Sequence, residues 1–490
     1  MNKDSDLTGL RCRDLAIGLT PHSNPSIESM RATPVVVSNG AQHDISTLKL
    51  LQIVHRHGDR APAVWTKKDP FKDIKYWPAG FGELTAQGKY RMYTLGQFYR
   101  REYSSYLGES YSPHEVYVRS SSVHRCIESA MSLMAGAYPP KGNWTWNRDN
   151  KSALGVEWQP IPIETFIPKS QDTVLEGYTK CKAAEDDLNR VYNQSVIHEF
   201  EAKYKQLYEE LTKITGSEIK DVYTAVDFYD TFQIEFDNNH FWPDIGQGDK
   251  AKQILSQLHD HEVLGYRYDW DSPILKRMRA GGLIQLLNEN FKLAQNNTNP
   301  YKLYVYSTHG ENIGAIMAAL NLYNGNSPPF GTTLLFELHK SSDYFVRIYL
   351  QNSTRFDYTP TSQDLHPIPI TDCNNQYVCP LTQYMESTKH LLYDNFEKDC
   401  TVNTNDSSAP LTHTIALTVA LNALSSDQYV SGYVDKKRLI LVTIGRLITT
   451  LNVIRFGFGL FTSSPRLRFW FCDFSYLLGG RQIIITTVIL

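Results

Sequence analysis

The sequence predicts an α/β fold: a parallel-rich sheet with helices on both faces plus a mostly helical cap domain. Three apolar, strand-like runs at residues 48–54, 115–118 and 303–306 carry the first half of that prediction. Polar or glycine-containing turns follow the second and third, and helix-patterned segments at 123–137 and 312–322 come next. Strands alternating with helices at such distances form parallel sheets covered on both sides. Between the outer runs the pattern turns helical, with 183–211 rich in Glu, Lys and Leu and 272–293 similar. That stretch predicts the cap.

Taken in order, residues 1–46 are polar and charged and read as a poorly defined N-terminal extension without a signal-peptide apolar region. The α/β core is expected over 47–167 and 291–400, interrupted by the helical cap insert at 168–290. Within the second core part, 332–337 and 344–350 alternate and are aromatic-rich, which predicts a hairpin. Past Cys400 the composition changes, and 401–490 reads as an extension, either a degraded membrane anchor or disordered. The apolar segment 410–424 is short for a span of roughly 20 residues. Segment 439–461 is longer but contains Arg446 and Arg455. Each arginine near a bilayer centre costs about 2.5–3.5 kcal/mol.

Length and composition narrow the function. A net charge of −3, with Lys and Arg scattered, gives no basic field for nucleic acid. Thirty tyrosines and 41% hydrophobic residues belong to a folded chain, not a disordered one. Asn-x-Ser/Thr sequons stand at Asn143, Asn150, Asn193, Asn296, Asn352 and Asn405. With the seven cysteines they favour an oxidising, secretory route.

The chemistry is concentrated in Arg56-His57-Gly58-Asp59-Arg60-Ala61-Pro62, where the first strand opens into a loop. Guanidinium groups stay charged and match phosphate oxygens with a planar donor fork. A histidine between them is discouraged from protonating, which leaves a ring nitrogen free to attack. An arbitrary Arg-His pair would read as a basic surface loop. Arg119 alone reads equally as a strand-end surface arginine, and His309 alone as a satisfied core histidine. What favours one site is convergence: ligands in such folds bind beyond the carboxyl ends of the strands, where His57, Arg119 and His309 all fall. Asp59 reads as a local salt-bridge partner, and Arg125 and Glu128 as surface or supporting residues. No Asp/His cluster has metal-ligand spacing, so no metal and no cofactor are expected.

The stretch from Leu48 to Pro62 resembles the signature of the histidine acid phosphatases, the prostatic and lysosomal acid phosphatase branch of the histidine phosphatase superfamily. The resemblance runs from about Lys49 to Cys400. It includes Trp77-Pro78-Ala79-Gly80-Phe81-Gly82-Glu83-Leu84-Thr85, Val116-Tyr117-Val118-Arg119-Ser120, Trp158-Gln159-Pro160-Ile161-Pro162 and Tyr306-Ser307-Thr308-His309. It implies that His57 is the nucleophile of a covalent phosphohistidine mechanism. Arg56, Arg60 and Arg119 match the phosphate-binding arginines, and His309 matches a second histidine that donates to the same oxygens. It also implies disulfides Cys181–Cys400 and Cys373–Cys379, which leaves Cys12, Cys126 and Cys472; Cys126 reads as a buried apolar filler. The family's remaining bridge has no cysteines here.

At one position the chain departs from those enzymes. They carry an aspartic acid after the second histidine as proton donor; here Gly310 follows His309, and Glu311 comes next. The donor role is therefore assigned to Glu311, in a His-x-Glu arrangement similar to inositol polyphosphate phosphatases. Two alternatives follow from Gly310: a phosphate-binding protein with impaired turnover, or an inositol polyphosphate phosphatase-like enzyme. Against the second, the cap shows no dense lysine cluster. The expected activity is metal-independent hydrolysis of a small-molecule or peptide phosphate monoester. An acid preference would arise because His309 and the donor must be protonated. The resemblance further implies a secreted, lysosomal or membrane-associated location and, as in many relatives, a homodimer.

Overall fold

The computed structural model describes residues 43–146, 154–166, 168–176, 179–323, 325–352 and 359–401, with two strands at 470–478 and 481–489. The chain divides into two units, Met1–Thr404 and Asn405–Leu490. Of the second unit, β9 (Trp470–Leu478) and β10 (Arg481–Ile489) pair antiparallel, Arg481 opposite Leu478 and Ile489 opposite Trp470. Segments 410–424 and 439–461, weighed above as membrane spans, lie outside the described residues, as do 1–42.

The first unit is built on a mixed sheet. Its strands are β1 (Leu48–Arg56), β2 (Val116–Ser120), β3 (Glu164–Thr165), β4 (Leu303–Thr308), β5 (Thr333–Lys340), β6 (Tyr344–Gln351), β7 (His366–Pro367) and β8 (Cys379–Pro380). The spatial order is β3-β2-β4-β1-β5-β6-β7, with β8 also on β6. The first four run parallel; β5 returns antiparallel on β1 and forms the expected hairpin with β6. β1 is apolar on both faces because both are covered. Leu50 and Val54 enter one core with Tyr304, Tyr306 and Phe336, while Leu51 and Ile53 enter the other with Val118, Val305 and Leu335. Helices α1 (Ala86–Glu102) and α2 (His124–Ala137) supply Met92, Leu95, Leu133 and Met134 to that second core.

The cap holds α3 (Lys182–Tyr192), α4 (Ser195–Lys203), α5 (Lys205–Thr215), α6 (Val222–Asp237) and α7 (Asp249–Tyr268). The run 183–211 is thus three helices, broken at Asn193-Gln194 and Tyr204. The cap has its own aromatic core, with Tyr208, Phe228, Phe232 and Trp242 closed by Leu211 and Leu258. The helical insert expected over 168–290 ends earlier by packing. Helix α8 (Pro273–Gln295) lays Leu283, Ile284, Leu287 and Phe291 on the sheet core with Leu50 and Tyr306, so it belongs to the sheet's helical layer. Helices α9 (Gly310–Ala319) and α10 (Leu381–Thr388) complete that face. Both implied disulfides are present, Cys181–Cys400 and Cys373–Cys379, and Cys126 is a buried free thiol. Asn143, Asn193 and Asn296 are exposed. Among the described residues no helix is long and apolar enough to cross a membrane, and no group of three or more His, Cys, Asp or Glu could hold a metal ion.

Candidate active site

The carboxyl ends of β1 and β4 lie side by side, Arg56 paired with Thr308, and the backbone N–H of His57 donates to Thr308 O at 3.0 Å. The loop after β1 is held by a close backbone approach. A Cβ at Gly58 would lie 2.5 Å from Gly88 O, and one at Gly88 2.2 Å from Asp59 O. Glycine at both positions lets the first turn of α1, capped by Thr85, sit against the loop. Asp59 then grips Arg91 of α1 through two bonds of 2.6 and 3.0 Å. The expected salt-bridge role of Asp59 is met by a partner on the next helix instead of by Arg60 or His57.

His57 is buried, and its Nδ1 lies 2.8 Å from its neighbour's carbonyl, Gly58 O. That contact places the ring proton on Nδ1 and leaves the lone pair on Nε2. Arg125 Nε donates to that lone pair at 3.1 Å. Burial first, then Arg125, Arg56, His309 and Arg60, hold the His57 pKa well below its ordinary value. These influences all favour the neutral ring.

His309 stands at the N-cap of α9, directly after β4, its ring centroid 5.7 Å from that of His57. Its surroundings are the reverse. Nε2 lies 3.0 Å from Ser121 Oγ and 3.6 Å from Glu176 Oε2, and Ser121 in turn donates to Glu176. Burial alone would lower its pKa, but Cys126, Glu176 and Glu311 outweigh it and raise it to about 9. His309 is thus a cation at acid and neutral pH. Arg125 Nη2 comes within 3.4 Å of His309 Nδ1, so two donors face the same space, an arrangement suited to an oxyanion.

Arg56 donates through Nη1 to Pro328 O and stacks 4.2 Å from the Phe330 ring. Arg60 is fixed by Asp230 on α6 through bonds of 2.9 and 3.0 Å. Glu311, in the first turn of α9, is half-buried. Burial raises its pKa, but His309, Arg56, its own backbone N–H and Arg60 bring it below the ordinary carboxylate value.

A family model described as histidine phosphatase superfamily (branch 2) matches residues 47–351. This chain belongs to that family. Prostatic acid phosphatase of Bos taurus is 31% identical over 362 residues, covering 72% of this chain and 88% of the relative. Lysosomal acid phosphatase of Xenopus laevis is 32% identical over 358 residues, covering 72% and 78%. The solved phytase of Citrobacter braakii matches with a TM-score of 0.54 at 18% identity, over 73% of this chain and all (100%) of the phytase. At that identity the likeness speaks for the fold alone.

Within this histidine phosphatase, the structure brings His57, His309, Arg56, Arg60 and Glu311 together. Arg119 it does not. That guanidinium donates to the buried Asp172 at 2.8 Å and lies 5.9 Å over Phe166. The arginine touching both histidines is Arg125, read from sequence as a surface or supporting residue. The physical reason is geometry: Arg119 is still within β2, whereas Arg125 sits in the first turn of α2, which folds back over the strand ends. A first-turn arginine following a strand was the signal that could have found it. Glu176, which helps keep His309 charged, and Ser121, which bridges the two, carried no comparable sequence signal.

Proposed function

We propose that this chain hydrolyses phosphate monoesters in two in-line displacements at His57, through a covalent phosphohistidine. It is a phosphoric monoester hydrolase by family, with the acid phosphatases among its relatives. The observation that carries the residue-level reading is the His57 ring: Nδ1 tied to Gly58 O, Nε2 presenting its lone pair to Arg125. In the first step Nε2 attacks phosphorus and the ester oxygen leaves, taking a proton from Glu311. In the second, water attacks phosphohistidine with Glu311 accepting the water's proton. Arg56, Arg60, Arg125 and His309 neutralise the equatorial oxygens, where most of the catalysis of phosphoryl transfer resides. Arg119, bound to Asp172, is assigned to holding the strand end.

The pH logic differs from the sequence expectation in one respect. His309 keeps its proton up to about pH 9, so it does not create the acid preference. Glu311 does, because its carboxyl is shifted down and gains its proton only in acid or from the incoming monoanionic ester. His57 tolerates that acid because its neighbours are cations.

The expected substrate is a small-molecule or peptide monoester carrying a single phosphate. On the cap side of Arg60 stands Asp230, whose carboxylate already pairs with that guanidinium and leaves less positive charge for a polyphosphate. Two disulfides and exposed sequons support a secretory route. The test is an alkaline-quench experiment with phosphorus-labelled 4-nitrophenyl phosphate, since a phosphohistidine survives alkali and is lost in acid. Acid-labile label should appear on the wild-type chain at steady state and be absent from His57→Ala, which should also lose turnover. Label on His57→Ala would defeat the assignment.

A further inference from the structure

Gly310 is the position where related enzymes are expected to carry an acidic side chain, and its surroundings are not empty. A Cβ built there would lie 3.0 Å from the Tyr266 hydroxyl, 3.0 Å from Arg56 Nε and 3.1 Å from Arg56 Cζ. One helical turn on, a Cβ at Gly314 would lie 3.2 and 3.3 Å from Cδ1 and Cε1 of the same tyrosine. The Tyr266 ring therefore lies along a groove made by two glycines on α9. Its hydroxyl ends where a side chain at 310 would begin. Tyr266 comes from the last turn of α7, so the cap supplies it.

Two further observations show that this hydroxyl faces the chemistry. Arg56 Nε, its neighbour across Gly310, is buried without a hydrogen-bond partner. Glu311 and Arg56 are the charged groups that act most strongly on Tyr266, after burial itself. Burial and Glu311 push the phenol pKa up, so it keeps its proton throughout the working range, and Ser327 hydrogen-bonds it. A protonated phenol beside a guanidinium and a carboxyl is a donor of the kind that stabilises a developing alkoxide.

We propose that Tyr266 is a catalytic residue whose hydroxyl donates a hydrogen bond to the ester oxygen as the P–O bond breaks, in the space that glycine at 310 leaves free. In that step the Nε2–P bond forms, the P–O electron pair stays on the ester oxygen, and the proton that neutralises it comes from Glu311. Tyr266 keeps its own proton. The role rests on the hydrolase reading above and is tested so that the two can fail separately.

Tyr266→Phe keeps the ring on Gly310 and Gly314 and removes only the hydroxyl. kcat/KM is measured for a series of monoesters from 4-nitrophenyl phosphate to simple alkyl phosphates. The expected result is a loss of about 30-fold for alkyl esters and under about 3-fold for the nitrophenyl ester, because only a poor leaving group needs the donor. Adding Gly310→Asp to Tyr266→Phe places a carboxyl in the vacated space and should recover part of the alkyl activity. A uniform loss across the series, which a merely structural strut would give, overturns the proposal. So does an unchanged alkyl rate, or a double variant no better on alkyl esters than Tyr266→Phe. Failure of the wild-type chain to turn over nitrophenyl phosphate would instead sink the hydrolase reading itself.

Discussion

Replacing Glu176 by Gln removes one charge from the pocket and should move one limb of the pH profile. In the intact site His309 is raised from 6.5 to about 9, a net effect of about 3 kcal/mol in favour of the cation, achieved against burial. Glu176 Oε2 lies 3.6 Å from His309 Nε2. At that range a unit pair is worth about 4–5 kcal/mol with an effective dielectric near 20, an upper bound before screening. The glutamate is itself ionised: burial raises its pKa, but His309, Ser121 and Lys169 bring it below the ordinary value. Neutralised, it leaves Cys126 and Glu311 alone to oppose burial, and the His309 pKa should fall below about 9. The sign follows. A raised histidine pKa gives a contribution present at low pH and lost as pH climbs through the folded value. The assay is competitive inhibition by inorganic phosphate between pH 4 and pH 10. Wild type should hold its affinity to about pH 9, whereas Glu176→Gln should match it within about twofold at pH 5 and lose affinity at a distinctly lower pH than wild type. An equal loss at every pH, or an unmoved limb, would show that Glu176 shapes the pocket without setting the charge of His309.

Arg125→Met should lower kcat/KM for aryl phosphate by a factor of about 100 or more, as removal of a transition-state donor does, while Arg119→Met should act mainly on thermal stability; steady-state kinetics beside melting curves separate them. Asp59→Asn breaks the two-bond pair with the buried Arg91 and should cost about 3 kcal/mol, read as a fall in urea midpoint without a change in slope. His43 bonds Glu102 and Glu337, each at 2.7 Å, and burial opposes but does not prevent a rise of its pKa to about 9. Its contribution to stability should be complete below about pH 6.5 and lost as pH rises to about 9. Glu337, where burial is overcome by His339, His43 and Tyr103, falls to about 2, so its contribution should be lost only as pH drops from 4.5 towards 2. Together they give a plateau at mildly acid pH, and His43→Ala should remove its alkaline slope in equilibrium unfolding.

Where hydrophobic patterning and local turn chemistry govern the chain, the sequence was readable. The runs leading to His57 and His309 are β1 and β4, because parallel strands buried on both faces need near-continuous apolar residues. Arg56, His57 and Arg60 were legible because one loop carries all three. Residues that matter through distant pairing were not. Arg91 meets Asp59 thirty-two positions away, and Glu176 meets His309 across a far longer separation; neither contact leaves a local trace. Arg119 stands at a strand end, where ligands of such folds bind, whereas a first-turn helix arginine such as Arg125 more often reads as a surface or supporting charge. Helix α8 was assigned to the cap by its sequence neighbours, although its apolar stripe, Leu283, Leu287 and Phe291, is the complement of the sheet face beneath it.

One neighbourhood favours opposite protonation states for two imidazoles, and in the proposed mechanism the contrast is what lets His57 act as nucleophile in acid. The charged groups that act most strongly on His57 are cations, so protonating it would add a like charge to a buried cluster. His309, its ring less than 6 Å away, has Glu176 and Glu311 among its partners and stays charged. In the proposed mechanism this divides two jobs that a lone histidine of ordinary pKa could not share at one pH: a free lone pair for phosphorus and a fixed positive charge for its oxygens. Exchanging the surroundings, not the rings, would exchange the roles. The carboxylates are therefore as much a part of the nucleophile's chemistry as the arginines, since by keeping His309 charged they add to the cations that keep His57 neutral.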